Sequence, residues 1–575
     1  MSSDDDFRIR PGRIRSTPAP RKPSFLKQAL RAAHKAGGLR PNGGSRRSTW
    51  GRGRSASVGA NRLLMSSARG AVIKARVVRR TMPSGALAAH VSYLQRDGVT
   101  KDGEPGRLFD SADNAADGGA FVSRCEGDRH HFRFIVSPDD AHELADLRDF
   151  TRELMAQAES DLGTQLDWVA VDHWNTEHPH VHVLVRGHDD DGRDLVISRD
   201  YISHGMRDRA AALVTQELGP RSELEVRRDL ARQVEAERWT KLDRVLVREA
   251  AAREGVLDLR RDLLARPDPL REEKIGRLRK LERLGLASGD GRGRWVLADD
   301  AEQQLRALGE RGDIIKRLHR TMASRGREAN ASLFVLEAET AGPVLGRLAA
   351  RGLDDELKGS GYAIVEGVDG STHHLRLPTL DAAADGSTGS VVELRRFADA
   401  SGRDRIALAV RSDLPIERQI TATGATWLDR QLTAREPEPL GSGGFAADVR
   451  DALEHRTDHL VSQGLARRQS GRVLFARDLL DTLRRRELEQ VASKVAAETG
   501  LPYRPAAEGE RVGGVYRQRL DLASGRFAML DDGLGFQLVP WSPSLEQRLG
   551  RQVGGVALPG GGIDWSFGRK RGLSL

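Results

Sequence analysis

Several things are scarce in this 575-residue chain, and each scarcity removes a class of function. Cysteine occurs once, at Cys125, which excludes an intrachain disulfide and the cysteine-rich zinc sites. A reducing cytosol suits that usage. No apolar run approaches the roughly 20 residues that cross a bilayer, so no membrane insertion is expected. A Gly-x-x-x-x-Gly-Lys-Ser/Thr loop is missing, which argues against a fused nucleotide-driven motor. Acidic residues are absent between Asp6 and Asp97, where 21 Lys and Arg fall. The formal net charge of +9 is therefore concentrated at one end, and the remainder of the chain is net acidic. Such a cationic arm attracts a polyanion by counterion release, with a phosphate backbone the expected partner. A transit peptide or a solubilising tail shares the same composition.

What is present divides the chain into about three to four domains. After the arm, Ala71 to Arg79 reads as a strand by its β-branched content. A helix follows from Ser84 to Gly98, with Leu87, Val91 and Leu94 as its apolar stripe. His131 to Val136 is a second strand, and an amphipathic helix runs from about Ala141 to Leu162. Two further strands, Leu166 to His173 and His180 to Val185, flank a short turn, and a helix covers Met206 to Leu218. This order predicts an α+β fold with a mixed or antiparallel sheet and helices on one face.

The densest chemistry lies in His173-Trp-Asn-Thr-Glu-His178-Pro-His180-Val-His182. Residues i and i+2 of a strand share a face, so His180 and His182 would stand side by side. If the turn folds the preceding strand back, His173 becomes a third metal ligand and leaves coordination positions open for a substrate oxygen. The competing reading is a set of ordinary hairpin histidines. His178 falls out of phase, which suits a supporting or solvent-facing role. A metal beside a basic arm suggests phosphoryl transfer, and that needs a nucleophile. On the helix near residue 90, His90, Tyr93 and Asp97 share a face. Tyr93 is the candidate, since a phenolate can attack phosphorus and form a phosphotyrosyl link.

Taken together, Tyr93-Leu-Gln-Arg-Asp-Gly, His131-Phe-Arg-Phe-Ile-Val-Ser-Pro and His173-x-Asn-x-Glu-His-Pro-His-x-His resemble the three motifs of conjugative relaxases. These belong to the HUH endonuclease superfamily, and the likeness is especially to its P-type mobilisation branch. The resemblance covers roughly residues 70 to 220. It implies an enzyme that nicks single-stranded DNA at an origin of transfer, stays joined to the 5′ end through tyrosine and religates after transfer. By position it implies Tyr93 as nucleophile and His173, His180 and His182 as ligands of Mg²⁺ or Mn²⁺. Arg96, Ser137, Lys74 and Arg76 would contact DNA. The third motif carries Asn175 and Glu177 where the family has acidic residues, which leaves the proton acceptor open with Glu177 as a candidate; some relaxases use a histidine nucleophile, which keeps His90 as the alternative to Tyr93. Relaxosome accessory proteins and a type IV secretion coupling protein are the implied partners. The implied location is the bacterial cytoplasm, with export alongside the DNA. A rolling-circle initiator or transposase sharing the HUH core, and a non-catalytic DNA-binding regulator, remain open alternatives.

The expected domain map is a basic arm at 1–69 and the nuclease domain at 70–220. A helical connector with a winged-helix-like module follows at 221–328, then a β-rich module at 329–436. A second winged-helix-like module is expected at 437–498 and a small β subdomain at 499–575. The long extension resembles the uncharacterised carboxy-terminal regions of some relaxases.

Overall fold

The computed structural model describes residues 67–79, 86–95, 99–174, 178–260, 268–327, 330–336, 343–383, 385–398, 402–558 and 562–566. Residues 1–66 of the basic arm, Arg96, Asp97, Asn175 and Glu177 lie outside the described residues. The fold is α+β. Among the described residues, no helix is long and apolar enough to cross a membrane.

The amino-terminal sheet comprises β1 (Ala71–Arg79), β2 (His130–Pro138), β3 (Trp168–His173) and β4 (His180–Arg186). Their spatial order is β1-β2-β4-β3, and every pairing is antiparallel. Strand alternation sorts the side chains into two layers. On one face, Ile73, Phe132, Phe134, Val136, Ala170, Val181 and Val183 pack with Phe150 and Leu154 of a helix at Leu147–Leu162 and with Val214 of a helix at Met206–Leu218. Full burial of each large apolar side chain here contributes about 1.5–3 kcal/mol.

The opposite face is covered too, which corrects the expectation of helices on one face only. Val169, Val171 and Leu184 meet Val91 and Leu94 of helix α1 (Ala86–Leu94) and Phe121 of a short helix at Gly118–Arg124. The sequence pattern missed that short helix because its seven residues are too few to show a helical period. The helix expected from Ala141 starts instead at Leu147. Asp146 caps it by accepting from the Arg148 and Asp149 amides, and a side-chain cap of this kind fixes a helix start whatever apolar residues precede it.

The extension repeats itself. Helices at Glu223–Glu235, Lys241–Ala251 and Arg271–Arg283 accompany a small sheet of β5 (Val256–Asp258), which falls between the second and third helices, and β6 (Ala287–Gly289) and β7 (Arg294–Leu297), which follow them. Helices at Ile416–Gln419, Trp427–Thr433 and Gly444–Ser462 precede a hairpin of Ala466–Gln469 and Arg472–Phe475. The second unit therefore begins near residue 416 rather than 437, because Ile416, Trp427 and Leu428 share a core with Phe445 and Val449. Gln233, Thr240, Asp243 and Arg277 in the first unit recur as Gln419, Thr426, Asp429 and Arg456 in the second, with matching hydrogen bonds.

A long helix follows each unit, Ala301–Ser324 and then Leu479–Thr499, and each leads into a sheet. The first of these sheets has six strands, the earliest in the chain being β8 (Phe334–Leu336). Two of them, β9 (Leu345–Asp355) and β10 (Ser360–Gly367), form an antiparallel hairpin. Its turn reaches the amino-terminal sheet on the face that carries the histidines.

Candidate metal centre

Backbone pairing alone brings the three imidazoles to one place. His173 of β3 lies opposite His180 of β4, and Val171 lies opposite His182. Strand alternation then puts His173, His180 and His182 on the same face, with ring centroids 4.5 to 5.6 Å apart. All three are at least nine-tenths buried.

Each ring is oriented by a backbone carbonyl or by its neighbour. His173 Nε2 donates to the Leu94 carbonyl at 3.0 Å, which fixes the tautomer and leaves Nδ1 as its ligand atom. That carbonyl sits in the last turn of α1, where helical partners run out. His180 Nδ1 donates to the His178 carbonyl at 3.0 Å and turns Nε2 inward. The out-of-phase His178 therefore serves the site through its backbone. His180 Nε2 and His182 Nε2 are 3.2 Å apart.

A fourth group completes the cluster. Glu356, in the turn between β9 and β10, places Oε2 3.2 Å from both Nε2 atoms. The four ligand atoms of His173, His180, His182 and Glu356 lie within 4.8 Å of one another. Burial opposes ionisation of Glu356, but the charge of His182 and hydrogen bonds from His180 and His182 outweigh it and hold the carboxyl well below its usual range. A cation about 2.0–2.1 Å from tetrahedral donors needs them roughly 3.3 Å apart. The 3.2 Å contacts of this donor set fit such an ion.

Tyr93, one residue before Leu94 on α1, is half-buried, and its hydroxyl accepts from the Leu353 amide of β9 at 2.7 Å. His90, also on α1, has its pKa pushed well below normal by burial and by the charges of Arg133 and His182. Arg133 is itself drawn down to about 10 by burial and by Arg76. Arg76 donates to the Leu357 carbonyl at 3.3 Å, while Lys74 is exposed on the same strand. Ser137 donates to the Pro179 carbonyl at 3.4 Å, so here it holds the start of β4. Cys125 is buried, with its thiol pushed up to about 12 by burial and by Asp128, which makes it a poor nucleophile.

Three groups escaped sequence reasoning: Glu356, the Leu94 carbonyl and the Leu353 amide. The only local signal for the first is the acidic run Asp354-Asp355-Glu356 between two strand-like segments.

No curated protein matches the chain. One family profile does match, over residues 274–405 and 395–574. The match begins after the three histidines and includes Glu356. It spans more than half of the sequence, and the chain belongs to that family, the proteins of unknown function DUF3363.

Proposed function

We propose that this chain is a relaxase, a DNA-nicking and rejoining enzyme that cuts one strand at an origin of transfer and retains the 5′ end on Tyr93. The observation that supports it is the tie between α1 and the histidine centre. The Leu94 carbonyl, one residue after Tyr93, accepts from His173 at 3.0 Å, so one short stretch of backbone holds both the nucleophile and a metal donor. In the reaction, Tyr93 Oη forms the bond to phosphorus and its proton leaves to water. The bond from phosphorus to the 3′ oxygen breaks, and that oxygen takes up a proton. The phosphotyrosyl ester keeps the bond energy for rejoining.

A divalent cation held by His173, His180 and His182 would supply charge stabilisation to the scissile phosphate. Imidazole donors suit Zn²⁺ better than Mg²⁺ or Mn²⁺. Arg76, Arg133 and Lys74 share the face of the sheet that carries the histidines and would hold the strand. The arm would add sequence-independent affinity. Relaxosome proteins, a secretion coupling protein and a cytoplasmic location belong to the same reading. A second reading, a DNA-binding regulator with a structural metal, is favoured by Glu356, because four protein ligands make a closed site.

Incubation with labelled single-stranded oligonucleotides tiled across the host element's origin, followed by a denaturing gel and mass spectrometry, separates the two. The expected result is a covalent adduct on Tyr93 that Tyr93→Phe loses while DNA affinity stays within about twofold, since no charge is removed. An adduct that survives Tyr93→Phe but not His90→Ala would move the nucleophile to His90. No adduct on any oligonucleotide, with any of the three metals, would leave the regulator.

A further inference from the structure

We infer that the β9–β10 hairpin of the extension stands in for the DNA backbone: Glu356 occupies the coordination position that a scissile phosphate needs, so the hairpin and single-stranded DNA compete for the centre. This rests on the nuclease reading above.

The hairpin is preorganised, and its three consecutive acids have separate tasks. Asp354 is held at the base by Arg317 at 3.1 Å and Arg376 at 3.4 Å. Asp355 caps the turn from within, accepting from the Leu357 and Lys358 amides at 3.0 and 2.9 Å. Gly359, with φ of 75°, closes the turn and donates to the Asp355 carbonyl at 2.7 Å. Glu356 alone points outward, into the histidines.

What the hairpin presents is complementary to what a nuclease would present to DNA. The Glu356 carboxylate meets two imidazole nitrogens. The Leu357 carbonyl takes the Arg76 guanidinium. Gly359 faces Arg133, whose Nη1 lies 3.7 Å from where a Cβ would stand, and the Leu353 amide engages the Tyr93 hydroxyl. One hairpin thus engages two of the imidazoles and Arg76 through acceptor oxygens, where phosphate oxygens would bind, and Tyr93 through an amide donor. A loop docked only for stability buries apolar side chains; this one buries a carboxylate, which is costly unless a counter-charge awaits it.

The test uses the full chain, wild type and Glu356→Ala, loaded with Mn²⁺ or Zn²⁺. Chelator competition should strip metal from Glu356→Ala at about tenfold lower chelator concentration or less, the scale for losing a supporting group at a metal. An unstructured oligonucleotide of about 16 nucleotides should bind the metal-loaded variant at least about fivefold tighter than wild type. In a Lys358→Cys protein labelled with an environment-sensitive dye, the same oligonucleotide should shift the emission, with the buried Cys125 left unlabelled. Equal metal affinity would remove Glu356 as a ligand and overturn the inference. Tighter metal binding to wild type with equal or weaker DNA binding to the variant would make Glu356 a plain ligand and overturn the competition. If wild type still forms the Tyr93 adduct in that case, the nuclease reading stands and the hairpin inference alone falls. If neither protein binds single strands, both fall.

Discussion

Arg456 and His182 are both buried polar side chains, each costly to bury without a partner, yet they are satisfied in opposite ways. Arg456 in the second helical unit has every donor taken by its own unit. Nε and Nη2 clasp Asp429 at 2.8 Å each, and the remaining bonds go to the carbonyls of Ile420, Ala422 and Gly424. Arg277 repeats the arrangement with Asp243, Val234, Ala236 and Arg238. The histidine centre instead has two imidazole nitrogens 3.2 Å apart and completes itself with a carboxylate from a distant module. A structural polar cluster closes locally and recurs wherever its unit recurs. A cluster built for a ligand concentrates donor atoms of one kind and waits for a charge from elsewhere.

That contrast can be broken most sharply at the histidines. His182→Ala should weaken metal binding by more than about 100-fold, exceeding the range for supporting groups. The metal-free thermal midpoint should barely move, because one of three crowded imidazoles is removed. A large loss of metal-free stability would make the cluster structural. The next effect is reversed in kind. Arg456→Ala should destabilise its unit by about 3–5 kcal/mol by stranding Asp429 in the core, while metal affinity is unchanged; denaturant melts and metal titrations of the same variant read both. A stability change under about 1 kcal/mol would show that the core readmits water.

A smaller effect sharpens the comparison through pH. His374 is held at about 4 by burial and the Arg317 guanidinium, and His131 at about 4 by burial and Arg133. Both folded values lie below the unfolded value of about 6.5. The unfolded chain therefore takes the proton first, and stability present above about pH 6.5 is lost as pH falls through about 4. Thermal midpoints measured from pH 7 to pH 4 should decline, and more shallowly in His374→Gln. A flat profile in wild type would show that neither ring is held neutral.

How much of this was legible beforehand follows from range. Strand β1 is readable to the residue, since β-branched content is a local property. The pairing of His180 with His182 followed from strand alternation, and His173 followed from a two-strand turn. The cap at Asp146 overrode an apolar pattern that ran on past it. The second unit began earlier than expected because Trp427 packs on Phe445, and no single window contains both.

The sequence by itself determined that an α+β domain would carry three imidazoles on one sheet face, with a tyrosine helix nearby and a cationic arm before it. Periodicity, charge and spacing are properties of neighbouring residues. Only the tertiary structure decided that Leu94 would orient His173, that helices would cover both faces, and that Glu356 would complete the centre. A carboxylate in a hairpin turn has no local reason to be buried; it becomes a ligand only when a separate module packs its turn against the histidines, and that contact is a property of two surfaces rather than of any stretch of chain.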